Sequence, residues 1–590
     1  MPSPVEEGVA TGQPVDLTGA TDRDVPADLL RELVAAGAPG LRLTGARVVG
    51  PLDLGGLRIG GPVRLVGCDF TAPLSLRDAD LPLLDLRRSR LVSLTATEAV
   101  VERVLLLSGI EATAGVALGG ARVGATCTLQ SARLRCADGP ALVADRMRLA
   151  SDLLLDRLDA EGTGPRGAVR LQGTRLDGRL TGHGLRIANP DGPALVADNL
   201  QVAGPVYLSE GAELRGAGER GAVRMAGARV GSLSFGGARI ENPAGWALAA
   251  HYLDCGGTVY LDGLRATGGV RITGARIGGR LDCAGATVEA PDGSALDAGR
   301  SAVGQGIDLR GATLRGRTSG PAALQLRGVT CGADLDVRDT RLANPDGVAV
   351  RVAQATVAGV TWLEAIELES GGIDLRDAQL SVLRDRGLAL PPGSRLILDG
   401  LTYRGLPGAT AGSPPLVRDR IRWLERMDGY AAQPYRQLAA AYQAAGHPDD
   451  ARRVLVAQQE HLRRSGRLTS RWSRLRHRLF GWTLQYGYQP LRAVALLAAT
   501  LAVAAVVFGL GATGTRAVPA GGPCPVVDRV GLAIDAAVPL VSTGARDRCR
   551  LATGTATGQR LAVGGWVLTL LGWGSATLVV AGYTGLVRRP

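Results

Sequence analysis

The sequence predicts a mainly β chain wound as a parallel solenoid, followed by an α-helical region carrying two transmembrane helices. Three observations lead there. Residues 41–83 divide into near-copies, LRLTGARVVGP, LDLGGLRIGGP, VRLVGCDFTAP and LSLRDADLPL, each made of two five-residue steps and a spacer. Of the 590 residues 84 are glycine and only 4% are aromatic, too few large side chains for an ordinary core, yet 46% are hydrophobic. Near the end of the chain, two long apolar runs stand beside arginine-rich segments.

Within a step the first and third residues are apolar and the fourth or fifth is small, as in IDLRGATLRG (307–316) and VRITGARIGG (270–279). Alternation at period two makes a short strand, and the glycine that follows makes a corner. Four steps close one square coil, whose strands stack on the coils above and below at about 4.8 Å. No step buries its apolar face alone, so stacking creates the core.

A longer repeat is superimposed. The stretches beginning at Cys127, Leu180, Leu233, Leu281 and Leu335 each carry a turn and then an apolar step: ADGPALVAD, NPDGPALVAD, NPAGWALAA, APDGSALDA and NPDGVAVRV. The blocks are spaced 53, 53, 48 and 54 residues apart, and the short interval lacks an insertion like GAGERG (216–221). Each block holds two coils. The turns therefore predict a ridge at one corner, with a loop every second coil and a pitch of about 10 Å. Asp138, Asp191, Asp292 and Asp346 are its candidate partner-facing residues. A single aspartate beside glycine is turn chemistry, which outweighs a calcium reading.

The N-terminus has no basic start and no apolar core, which argues against a signal peptide and places the body in the cytoplasm. Residues 1–40 read as a tail and a capping helix, DVPADLLRELVAA (24–36), with Asp24 before it and Pro26 in its first turn. The solenoid spans 41–406.

A helical pattern then takes over. The region 416–466 holds a helix from Leu416 to Met427 and a hairpin beginning at Gln433. That hairpin turns at Gly446-His447-Pro448, with its second helix capped by Asp449 or Asp450. A basic juxtamembrane segment (467–490) leads to a transmembrane helix (491–511), an extracytoplasmic loop (512–560), a second transmembrane helix (561–587) and a tail (588–590). Arginines flanking both spans put both termini on the cytoplasmic side of the inner (plasma) membrane. Arg471, Trp472, Arg474, Arg476, Arg478, Trp482, Tyr486 and Tyr488 are the expected membrane-interface residues. Cys524 and Cys549 then face an oxidising compartment and form a candidate disulfide. The apolar stretch 530–544 is half a span long and reads as surface-lying or re-entrant.

Charge and chemistry narrow the function. The net charge of +12 resides in the C-terminal part, since 23 arginines against 9 acids after residue 414 leave the body at −2. A near-neutral body argues against nucleic acid, and a basic segment beside apolar runs argues for a bilayer. Six of the 8 cysteines lie singly in the repeats and read as small buried thiols. Gly509, Gly511 and Gly514 make a GxGxxG pattern, but TRAVPAGGPCP after it is not a helix, so it reads as accidental. The five histidines show no metal spacing. No catalytic, cofactor-binding or metal residue is assigned, and no enzyme class follows.

The five-residue steps resemble those of pentapeptide-repeat proteins over about residues 41–406. That resemblance implies a right-handed quadrilateral β-helix; frequent Val, Ile or Cys at the central position departs from the pattern. The hairpin is similar to a single tetratricopeptide-like repeat, too short for a peptide groove and suited to packing on the solenoid end. QPYRQLA, GHPDDARRVL and YGYQP together resemble a set of bacterial membrane proteins, some named membrane-associated oxidoreductases. The residues show no redox site to match that name. The expected function is a non-catalytic, membrane-anchored scaffold or protein-interaction module on the cytoplasmic face. Its expected partners are the lipid bilayer, an unidentified protein and a second copy of itself. The alternative is an oligomeric channel, transport accessory or membrane sensor, and the third reading is an oxidoreductase.

Overall fold

The structure is a computed structural model describing residues 4–583 except 318–321, 386, 387, 389, 406–413, 466–490, 519–520 and 539–540. One coil of the solenoid consists of four short strands, for example Val63–Val66, Asp69–Phe70, Leu74–Ser75 and Asp80–Leu81. Each pairs in parallel with its counterparts on adjacent coils, as Leu41 pairs with Val63, and Val63 with Leu84. The pattern persists for about 15 turns. Two 26-stranded sheets result, each covering two adjoining faces of the coil.

The apolar residues of each step fill the interior, since Leu74, Leu76, Ala79 and Leu81 are all buried. With small aliphatic groups stacked at every level, aromatic side chains are not needed to fill the core. Corners fall where the steps end, but glycine is not required at each. Asp78, Arg88 and Glu98 turn their corners with φ of 55 to 57°. Their N–H groups donate to the coil above, Asp78 to the Thr97 carbonyl at 3.0 Å and Arg88 to that of Ser108 at 3.1 Å. The stacking hydrogen bonds outweigh the cost of about 1–2 kcal/mol for a left-handed L-residue.

At the N-terminus the chain begins a partial coil before residue 41. Val15–Asp16 pairs with Leu41–Thr44, and Asp24–Pro26 pairs with Arg47–Val49. Asp24 and Pro26 therefore belong to a strand, and the capping helix begins after Pro26. Two helices lie here, α1 (Pro4–Thr11) and α2 (Ala27–Ala35). α2 buries Leu30 and Val34 and so covers an otherwise open edge. At the other end Met427 bridges to Leu396, and the Asp428 N–H donates to the Leu396 carbonyl at 2.9 Å.

The helical region forms a separate compact unit. It begins with α3 (Pro414–Glu425), which ends before Met427. α4 (Gln433–Ala444) and α5 (Pro448–Arg464) form the hairpin. Asp449 and Asp450 do not cap α5. They sit inside its first turn, paired with Arg452 at 3.1 Å and Arg453 at 3.0 Å. Buried Tyr435 shares a hydrogen bond of 2.7 Å with His461 Nδ1. Burial raises the Tyr435 phenol and lowers the His461 imidazole, so both stay neutral.

Beyond residue 490 come α6 (Leu491–Leu510), α7 (Val526–Ala537), α8 (Ala545–Arg548) and α9 (Ala556–Tyr583). Among the described residues one helix is long and apolar enough to cross a membrane, over Ala556–Val580. The apolar part of α6 is the shorter stretch Val494–Leu510. At 1.5 Å per residue it reaches about 26 Å, short of the roughly 30 Å of hydrocarbon. The candidate span thus begins at Ala556, before the expected residue 561, and a second span at 491–511 is not shown.

Candidate functional site

The loops of the repeated blocks gather at one corner between the two strands of the second sheet. Each is built on an Asn-Pro or equivalent step leaving a strand such as Arg186–Ala188. Asn189, Asn242 and Asn344 are fully buried there, and their side chains brace the loops from below. The Asn242 amide donates to the Gly218 carbonyl at 2.8 Å and to that of Trp246 at 2.7 Å. Its oxygen accepts from the Ala244 N–H at 3.3 Å. Asn189 repeats the arrangement with the Gly164 and Pro193 carbonyls, both at 2.9 Å. One asparagine thus holds its own loop and the loop of the coil beneath.

The intervening coils also carry loops at this corner. GTGPRG (162–167) and GAGERG (216–221) lie between the PDG loops, so from residue 136 to 246 the ridge carries a loop on every coil rather than every second one. A short crossing, Thr267–Gly269, interrupts it in the block with the 48-residue spacing. Gly268 turns there at φ +104°, and a Cβ would lie 2.6 Å from the Asn242 and Gly245 carbonyl oxygens. Only glycine lets the coils stack so closely.

Asp138, Asp191 and Asp292 are exposed on this ridge. The side chain of Asp346 lies outside the described residues. The Asp191 N–H is held by Asn189 Oδ1 at 3.0 Å, the hydrogen bond of an Asx turn. Among the described residues no group of three metal-ligating side chains occurs. Arg471, Trp472, Arg474, Arg476, Arg478, Trp482, Tyr486 and Tyr488 all lie outside the described residues.

The face beside the ridge is polar but neutralised. From Asp24 to Arg239, acid and arginine alternate in register over ten strands, as in Asp69–Arg90–Glu111–Arg133. Arg90 reaches Glu111 at 3.3 Å and Arg133 reaches it at 2.9 Å. Exposed pairs of this kind stabilise little individually, and they cancel the field of the face.

No family model, curated protein or solved structure matches this chain. The reading of the site therefore rests on its own residues. Cys68, Cys127, Cys255, Cys283 and Cys331 are buried and Cys136 is half-buried. Burial pushes the Cys68 and Cys255 thiols up to about 11 and raises Cys127 and Cys283 further. Thiols held protonated in this way are poor nucleophiles.

Gly509 lies in the last turn of α6, and Gly511 and Gly514 pass against Leu561 of α9, where a Cβ would come within 2.6 Å. A dinucleotide site needs a helix N-terminus at its glycines, whereas these lie at a helix C-terminus. Close packing accounts for them.

α7 overlaps the first half of the stretch 530–544, expected to be surface-lying or re-entrant. It packs against α6 and α9 through an apolar cluster that includes Phe508, Leu532, Ala536 and Leu568. Cys524 and Cys549 are joined by a disulfide within this cluster. Arg529 and Asp535 on α7 are only 8% exposed, which the sequence pattern did not suggest. Arg529 donates to the Gly509 carbonyl at 2.8 Å. Asp535 accepts from the Thr543 N–H at 2.6 Å, and its second oxygen has no partner among the described residues.

Proposed function

We propose that this chain is a membrane-anchored scaffold, in which a solenoid of pentapeptide-repeat type presents one corner to a protein partner. The observation that carries this reading is the ridge: a row of exposed loops at one corner, three of them held by a buried asparagine. A surface of this kind is ordered before it meets a partner, so binding costs little conformational entropy. Solenoids present extended surfaces in this manner.

In this reading α6 and α9 are two transmembrane helices, and both termini are cytoplasmic at the inner membrane. Large apolar side chains exposed on both helices support contact with lipid, among them Val506, Leu510, Trp566 and Leu570. Carbonate extraction followed by protease protection tests this: the solenoid is digested only in inverted vesicles. Digestion in vesicles of native orientation would overturn the topology.

The buried Arg529 and Asp535 on a half-length helix favour a second reading, an oligomeric channel or membrane sensor. A monomer in mild detergent without ion flux in reconstituted vesicles would remove it. An assembly whose flux is lost in Asp535→Asn would establish it over the scaffold.

A further inference from the structure

One face of the solenoid escapes the charge pairing seen beside the ridge. Arg122 stands in register with Arg148, and Arg148 with Arg175. Three guanidinium groups thus leave the sheet one above another at the strand spacing of about 4.8 Å. All three side chains are exposed. Arg135 and Arg170 on the other sheet, and Arg179, each hold a carboxylate, but among the described residues none lies within ion-pair distance of these three.

Like charges placed directly opposite one another on adjacent strands oppose stacking. On the face beside the ridge the same register positions alternate in sign. The column therefore lacks the in-register counter-charge that the fold supplies on the other face.

The arginines also line a groove of about 370 Å³. Gly124 and Ala150, two residues beyond Arg122 and Arg148, leave it open. Glu102 and Asp177 lie on the first and last of its four coils.

We propose that this groove binds a short linear oligophosphate lying along the solenoid axis, its phosphoryl groups taken up by Arg122, Arg148 and Arg175. The planar guanidinium fork matches phosphoryl oxygens in pairs, and a column of forks suits a row of such groups. Glu102, one coil before Arg122, repels an anion that extends past that end of the column, and Asp177 beside Arg175 bounds the groove laterally. The site is independent of the ridge and of the membrane anchor.

The test is titration calorimetry on the full chain in neutral detergent, with inorganic tripolyphosphate and with orthophosphate as probes. Tripolyphosphate is expected to bind far more tightly than orthophosphate, and more weakly as salt is added. Each of R122Q, R148Q and R175Q should weaken binding about tenfold. The triple variant should abolish it, and R133Q on the paired face should leave it unchanged. R148Q alone supplies the readout if the triple variant fails to fold. Equal affinity for both probes, no binding at all, or unchanged binding in R148Q would overturn the assignment.

Discussion

Replacing Asn242 with alanine probes the ridge at its best-connected point. The side chain is fully buried and makes two donated bonds of 2.8 and 2.7 Å and one accepted bond of 3.3 Å. Alanine leaves the Gly218 and Trp246 carbonyls and the Ala244 N–H without that partner. At about 1 kcal/mol for each bond, and more where a buried group stays unpaired, the loss is about 2–4 kcal/mol. A solenoid transmits such a loss mainly to neighbouring coils. The Gly216 N–H, bonded to the Glu241 carbonyl at 3.0 Å, and the Ala222 N–H, bonded to that of Trp246 at 2.9 Å, report on it directly. Hydrogen exchange at these amides should accelerate about 30- to 1,000-fold, while amides near Leu84 and Leu105 keep their protection. Unchanged exchange at Gly216 and Ala222 in a folded variant would show that the asparagine does not hold the loops.

Arg88→Gly relieves a left-handed corner and should stabilise the solenoid by about 0.5–1 kcal/mol, read as a higher denaturation midpoint; a lower midpoint contradicts the strain assigned to φ 57°. Raised thiol pKa values leave little thiolate at pH 8, so maleimide should modify half-buried Cys136 well before Cys68 or Cys255 in the native chain. Because a raised pKa delays thiolate formation, those two should gain reactivity only as pH approaches about 11 or the coils unfold; equal rates at pH 8 would contradict their burial. Cys524 and Cys549, 25 residues apart, should appear as one linked peptide in a non-reducing digest. Their double serine variant should lose about 3–4 kcal/mol. Recovery of both as free thiols from non-reduced protein would contradict the pairing.

The coil was legible because period-two alternation inside a five-residue step has one physical solution, a short strand and a corner. Other features were hidden for specific reasons. Asn189, Asn242 and Asn344 look like ordinary turn formers, and their importance appears only when the coil beneath supplies Gly164 and Gly218 as acceptors. A written Asn-Pro in three of the five blocks was the available signal. Val15–Asp16 and Asp24–Pro26 are too short to show any alternation, and only the coil they stack on makes them strands. Arg88 and Tyr252 occupy corners where glycine is the intrinsic choice, because the ladder fixes the backbone regardless of side chain. The arginine column was invisible for a related reason. Loops of varying length separate Arg122, Arg148 and Arg175 unequally, so the register that aligns them exists only in the stacked coils. On α7, the burial of Arg529 and Asp535 leaves no mark in the sequence pattern because backbone groups of other segments satisfy them.

A photoreactive residue placed at Asp191, at Asp292 or at Arg276 on a different face tests the scaffold reading most directly, with the full chain in intact cells. The account predicts the same protein adduct from both ridge positions and none from Arg276. No adduct at the ridge, or the same adducts at Arg276, would contradict it.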